Sequence, residues 1–412
     1  MKVLASVYAC SPYDGSERAV GWNWIKELDK YHEITAITSH VYKKDIEDYC
    51  AKNPNVLKNT TFVYVDVPRT SWHVGYRLER LYYILWQNQA YKIAVKLCEK
   101  ENYELVHHIT YVTCILPTFM HKLDTPFLYG PVSGGEKTPA IIGYPMSRKQ
   151  YIVERIRALS QVFFSMTPNY HRTMKNAALI LTTTEETKAI VPAKYHDKVR
   201  VFQAIGLTED IFFPEPAPKN NTVPQFLAAG RMLYWKGFEM TIRSFVEALQ
   251  NGIKAELTIL GDTENNKDYV SHCEHLRKMC GKYLDREIRF VNKVPYSEMK
   301  NFYDKFDVLL NCSLRDSGCF VVMEAMSRGL PVICVDVGGP KVNTTNDSAI
   351  KIEPASMDKM IQKVKEAIEM LANNSTKRVE MGRKARTHAM KNFLISERTK
   401  QMNRYYEEVR DK

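Results

Sequence analysis

Short, nearly continuous apolar runs alternate with segments of helical spacing from one end of the chain to the other. The strand-like runs are 2–8, 33–38, 61–67, 103–108, 125–130 and 178–184; past residue 206 they continue as 225–230, 255–261, 287–291, 307–313 and 330–336. Apolar runs of this length are what parallel strands look like when helices cover both faces of the sheet. Between them apolar residues recur at helical spacing. Ile242, Phe245, Val246 and Leu249 are one such set, closed by Asn251-Gly252 as a C-cap signal. The alternation predicts an α/β protein with parallel sheets. Eleven strands are too many for one six-stranded sheet, so two sheet domains, or a barrel, must hold them.

The alternation breaks at 204–224, a stretch rich in Pro and Asn, and then restarts. This predicts a first domain over 1–204 and a second over 205–390, with 391–412 as an amphipathic helix returning to the first. In 147–166, Ile152, Ile156, Leu159, Phe163 and Met166 form one stripe, flanked by Lys149 and Arg155. The expected place for this stripe is the core of its domain. The alternative is an anionic membrane leaflet, with the protein held peripherally on the inner face of the cell membrane.

Composition narrows the classes. Of 412 residues, 45% are hydrophobic and 25% charged, which excludes disorder, collagen and small disulfide scaffolds. The net charge of +11 suits anionic partners such as nucleotide phosphates. No block of Lys and Arg marks a nucleic-acid tail, so no nucleic-acid partner is expected. The nine cysteines are scattered without a C-x-x-C pair, as expected for a reduced, cytoplasmic chain. The first apolar run is too short for a signal peptide, and no run reaches the ~20 residues of a membrane span.

Two segments carry candidate chemistry. GRMLYWKG (230–237) follows a strand, so Gly230, Arg231, Lys236 and Gly237 fall at the sheet edge where open α/β folds bind ligands. Two cations five residues apart, with glycines that admit backbone, can grip a diphosphate; the same residues also suit a plain solvated loop. In 312–340, Asp316 precedes Ser317-Gly318-Cys319 and a helix-like segment carrying Glu324. The helix start offers free N–H groups to a phosphate or sugar oxygen, and the carboxylates can accept from hydroxyls. Read alone, they also suit a capped helix with one exposed Glu. In the first half, Asp14-Gly15-Ser16-Glu17 follows the first strand, either as a ligand-facing glycine loop or as an ordinary turn.

In order and spacing these segments resemble the retaining group-one glycosyltransferases, the large family-four group. That pattern runs through a GR…KG loop, an L-x-I-x-G-D/G strand end, a carboxylate-x7-Glu motif, EAMAxGxPVI and a GG turn. Here stand GRMLYWKG, LTILGD (257–262), Asp316…Glu324, EAMSRGLPVI and Val337-Gly338-Gly339. Asp316 replaces the usual Glu, and Ser317-Gly318-Cys319 the usual G-F-G. This D-S-G variant looks most like bacterial capsule and exopolysaccharide transferases, and the resemblance reaches into 9–24 and 127–139.

The resemblance implies the GT-B fold, two Rossmann-like domains facing across a cleft. It implies retaining transfer from a nucleotide-diphosphate sugar, UDP ahead of GDP, to a saccharide or lipid-linked saccharide in surface polysaccharide synthesis. Arg231 and Lys236 would stabilise the leaving diphosphate, Asp316 orient the donor sugar and Glu324 hold the ribose. Donor contacts would come from Gly15, Ser16, Gly230, Gly261, Val294, Ser317, Gly318, Cys319 and Phe320. Acceptor contacts would come from Glu17, His108, Gly134, Gly135 and Glu136. The family's His after the fifth strand is missing; Gly130 to Glu136 occupy its place, with His107 and His108 the nearest imidazoles. With no D-x-D pair, neither a metal nor a cofactor is expected. A degenerate scaffold that binds a glycan or nucleotide is the alternative.

Overall fold

Among the described residues thirteen strands form two parallel sheets, and the strand order of each places its switch point. The computed structural model describes residues 1–411 apart from 16, 68–78, 139–140, 142, 213–214, 217–220, 262–266 and 296–297. Ser16, and Asp262 at the end of the LTILGD run, therefore lie outside the described residues. The first sheet contains β1 (Lys2–Val7), β2 (Glu33–Ser39), β3 (Thr60–Val65), β4 (Leu105–Thr110), β5 (Phe127–Val132), β6 (Leu179–Thr182) and β7 (Val199–Val201). Its order is β3-β2-β1-β4-β5-β6-β7. The second contains β8 (Gln225–Ala229), β9 (Glu256–Leu260), β10 (Ile288–Val291), β11 (Val308–Asn311), β12 (Val332–Val335) and β13 (Ala349–Ile352), ordered β10-β9-β8-β11-β12-β13.

Every residue of β4, β5, β6, β11 and β12 is buried, so these strands read as mostly apolar runs, broken most in β4 by His107 and His108. In both sheets the order reverses beside the first strand of the unit. The switch points lie between β1 and β4 and between β8 and β11.

The chain divides into two compact units. Unit 1 comprises Met1–Gly135, Ile156–Gly206 and Ile395–Lys412; unit 2 comprises Glu136–Arg155 and Leu207–Leu394. The expected boundary at 204 is thus corrected for 136–155, which belong to unit 2. Ile141 and Tyr144 are part of that unit's apolar core, and the Tyr144 hydroxyl donates to the Tyr234 carbonyl. The helix Ile395–Arg410 packs in unit 1. Its Tyr406 hydroxyl meets His107 Nδ1 at 2.7 Å, and Asn403 meets His32 Nε2 at 2.9 Å.

The helix Arg148–Ser165 overturns the expected core placement of its apolar stripe. Ile156, Leu159, Phe163 and Met166 are 61%, 69%, 68% and 72% exposed. The opposite face turns inward, carrying Glu154, Ala158 and Gln161. Gln161 is buried and donates Nε2 to the Gly134 carbonyl at 2.6 Å. Periodicity fixes which residues share a face but not which way that face points.

Candidate functional site

Unit 2 gathers two loops at the carboxyl ends of β8 and β11, on either side of its switch point. The first loop runs from Gly230 to Gly237. Gly230 has φ 156° and donates its N–H to the Leu260 carbonyl at 3.0 Å. Gly261, at the end of β9, must be glycine. A Cβ there would stand 2.5 Å from the Gly230 carbonyl oxygen and 2.3 Å from the Met232 methyl. Gly237, at φ 71°, lies so close to the second loop that a Cβ would come within 2.0 Å of the Cys312 oxygen. Leu314 N–H closes the contact on the Trp235 carbonyl at 2.8 Å.

This interlock brings Lys236 to Asp316. Lys236 Nζ donates to Asp316 Oδ2 at 2.5 Å, and Asp316 Oδ1 accepts from the Cys319 N–H at 3.0 Å. Burial disfavours the Lys236 ammonium, but the Asp316 carboxylate outweighs it and the lysine rises above its ordinary value. Burial likewise opposes the Asp316 charge, and the Lys236 ammonium holds the carboxyl below its ordinary value. Arg231 is exposed on the same loop, near enough for its charge to work against that of Lys236. An anion brought to the two cations would relieve that repulsion.

The second loop is braced by the GG turn. Gly339 N–H donates to the Asp316 carbonyl at 2.7 Å, and a Cβ on Gly338 would meet the same oxygen at 2.2 Å. Asn343 Nδ2 holds the Gly318 carbonyl at 2.7 Å. Cys319, at φ 57°, begins the helix Phe320–Ser327 and is buried with its thiol pushed up by desolvation. Ser317, Gly318 and Phe320 are half-buried around it. Glu324, in the second turn, is enclosed; it accepts from the Tyr303 hydroxyl at 2.7 Å, and burial raises its carboxyl. Val294 follows β10, which lies two strands from β8 in the sheet order.

Sequence reasoning missed a clamp on this site. Arg315 lies over the Trp235 ring, 4.2 Å from its centroid, and donates to Glu154 Oε1 at 2.5 Å. Glu154 also accepts from the Tyr234 hydroxyl at 2.5 Å. The 136–155 segment therefore ties both loops. Arg315 lies inside the quoted motif and was open to notice, but nothing in the spacing connects it with Glu154.

In unit 1, Glu17 and Ser133, the neighbour of Gly134, both bond the Val112 backbone, Glu17 at its N–H and Ser133 at its carbonyl. Glu17 starts the helix Glu17–Leu28 and accepts the Val112 N–H at 2.5 Å. Burial, with the Glu79 charge adding to it, lifts its carboxyl to about 7 against the lowering effect of that hydrogen bond. Tyr111, stacked on Tyr8, donates its hydroxyl to Glu79 at 2.7 Å. Gly15 is exposed at the turn before this helix.

His108 is 1% exposed, its Nε2 lies 3.2 Å from the Tyr111 carbonyl, and burial takes it down to about 4. His107 is enclosed too, between Tyr406 and the Gly130 carbonyl. Gly134 and Gly135 are buried packing positions; a Cβ on Gly135 would strike the Glu186 carbonyl at 2.2 Å. Glu136 is 5% exposed and grouped with unit 2. Among the described residues no cluster of His, Cys, Asp or Glu could hold a metal ion.

Two parallel-sheet α/β units with these switch points define the GT-B glycosyltransferase fold. The crystal structure of a glycosyltransferase from Rickettsia africae aligns over 99% of this chain and 98% of its own, with TM-score 0.64 and 15% identity. Anabaena HepE, solved with UDP and glucose, aligns over 99% of each chain with TM-score 0.61 and 12% identity. Residues 209–388, most of unit 2, match the family of glycosyl transferases group 1. The D-inositol 3-phosphate glycosyltransferase of Corynebacterium aurimucosum is 24% identical over 227 residues, 51% of this chain and 52% of the relative. The chain spans about half the length of the curated relatives it matches.

Proposed function

We propose that this chain is a glycosyltransferase that moves a sugar from a nucleoside-diphosphate donor, a UDP-sugar first, to a hydroxyl of a saccharide acceptor, with retention and without a metal. The observation that carries the reading is the Lys236–Asp316 pair beside exposed Arg231, at the unit 2 switch point. Arg231 and Lys236 receive the diphosphate, and the braced 316–319 loop meets the donor sugar. The C1–O bond to the β-phosphate breaks with its electron pair going to the phosphate oxygen. The acceptor oxygen bonds C1 from the same face, and its proton passes to the leaving phosphate. Preorganised cations at that oxygen lower the barrier as the charge develops.

A second reading is a scaffold that binds nucleotide without transfer. What favours it is the enclosure of both His107 and His108. Thermal shift against UDP, GDP, ADP and CMP without metal tests donor binding, and release of UDP from UDP-sugars tests turnover. A shift with one diphosphate plus turnover supports the transferase. A shift without turnover on any donor and saccharide acceptor leaves the scaffold, and no shift at millimolar concentration removes both.

A further inference from the structure

The Arg148–Ser165 helix presents to solvent the face that an amphipathic helix ordinarily hides. Four large apolar side chains of unit 1, Ile156, Leu159, Phe163 and Met166, are more than half exposed along it. The helix Glu79–Lys100 adds exposed Leu81 and Leu85. The two helices meet at an apolar cavity of about 220 Å³, whose lining includes Ile84 from one, Phe164 from the other, and Leu116, Pro117 and Phe119. Lys122 stands over the Phe119 ring, 4.6 Å from its centroid. Exposed apolar area of this extent on one side of a domain marks an interaction surface.

The charge around it is one-sided. Between residues 156 and 176, all in unit 1, there are three Lys and Arg and no carboxylate. Arg172 and Lys175 are exposed. A second copy of the chain is a poor fit, because a self-complementary contact would bring these cations together. An apolar strip bordered by cations matches the acyl boundary and anionic headgroups of a bilayer.

We propose that unit 1 seats on an anionic lipid bilayer through this face, with Ile156, Leu159, Phe163 and Met166 in the acyl boundary and the cavity admitting one hydrocarbon chain. The proposal does not depend on the transfer reaction. It is tested by floating the full chain with vesicles of phosphatidylcholine alone and of phosphatidylcholine mixed with phosphatidylglycerol. Binding is expected to the mixed vesicles, falling with added salt. The double variant Leu159→Glu/Phe163→Glu should lose ~10-fold or more of it. Arg172→Gln/Lys175→Gln should lose ~5-fold per cation on the anionic vesicles. Val379→Glu, at an exposed apolar position of unit 2, should bind like the parent. All these positions are exposed, so unchanged melting temperatures will certify the fold. Failure to float with anionic vesicles overturns the proposal, as does binding that Leu159→Glu/Phe163→Glu leaves intact. A dimer dissolved by that double variant, with no vesicle binding, gives the face to a second copy and overturns it too.

Discussion

Lys236 and Asp316, eighty residues apart, meet at 2.5 Å because Gly237 lets one loop lie directly on the carbonyl of Cys312 in the other. The side chains are 17% and 18% exposed, so neither charge is well served by water. Asp316→Asn leaves a buried ammonium without its counter-charge. The expected loss of stability is about 3 kcal/mol, read by urea unfolding at pH 7. The pH dependence follows from the two shifts. Asp316 is depressed in the fold, so its contribution is full above the unfolded carboxylate value and disappears as pH falls through the lower folded one. Lys236 is raised, so its contribution is full below the unfolded lysine value and is lost as pH rises through the folded one. The deficit of Asp316→Asn should therefore be flat through neutral pH and shrink at both extremes.

Arg231 is exposed, so its removal should leave folding untouched. If it stabilises the departing diphosphate, Arg231→Ala lowers kcat/KM ~100-fold or more with an unchanged melting temperature. A variant with near-parental turnover removes the arginine from the mechanism.

Glu154 bonds Arg315 and Tyr234, and its effect on donor binding is expected to run through them. Glu154→Gln keeps the shape and drops the charge that holds Arg315 over Trp235. The donor KM is expected to rise ~10-fold while kcat changes little. A purely structural effect would instead appear as lost active fraction with KM unchanged, and active-site titration with donor separates the two.

Glu17 makes the opposite kind of pH statement. Its folded value of about 7 lies above that of an unfolded glutamate. Between the two, the fold keeps a proton that the unfolded chain has released, so stability falls as pH rises through that window and stays reduced above it. Glu17→Gln removes the penalty. The variant should match the parent near pH 4 and exceed it at pH 8 by on the order of 2–3 kcal/mol in urea unfolding.

The sheet framework was largely legible because strands such as β12, VICV, are buried end to end, leaving no polar residue to blur the run. β7 and β13 escaped for the converse reason. Each is a short edge strand carrying a cation, Arg200 paired with Glu408 and Lys351 with Asp336. The 230–237 and 312–340 segments announced a site because its glycines and charges are local in sequence. Which atoms would meet was not legible, since Gly237 against Cys312 and Glu154 against Arg315 are long-range contacts without a periodic signature. The Ile156–Met166 stripe shows the same limit. A stripe is a relation among neighbours, and the burial of Gln161 decides which way it faces.

The return of Ile395–Arg410 to unit 1, where Tyr406 reaches His107 in β4, has a consequence during synthesis. The stretch from Leu207 to Leu394 separates the body of unit 1 from its last helix. At ~5–20 residues per second, the ribosome needs roughly 10–40 seconds to cross that interval. Throughout it the pocket for Tyr406 stands open on a nascent sheet. Unit 2 can close first, although it begins later, and the first-made unit is the last to be completed.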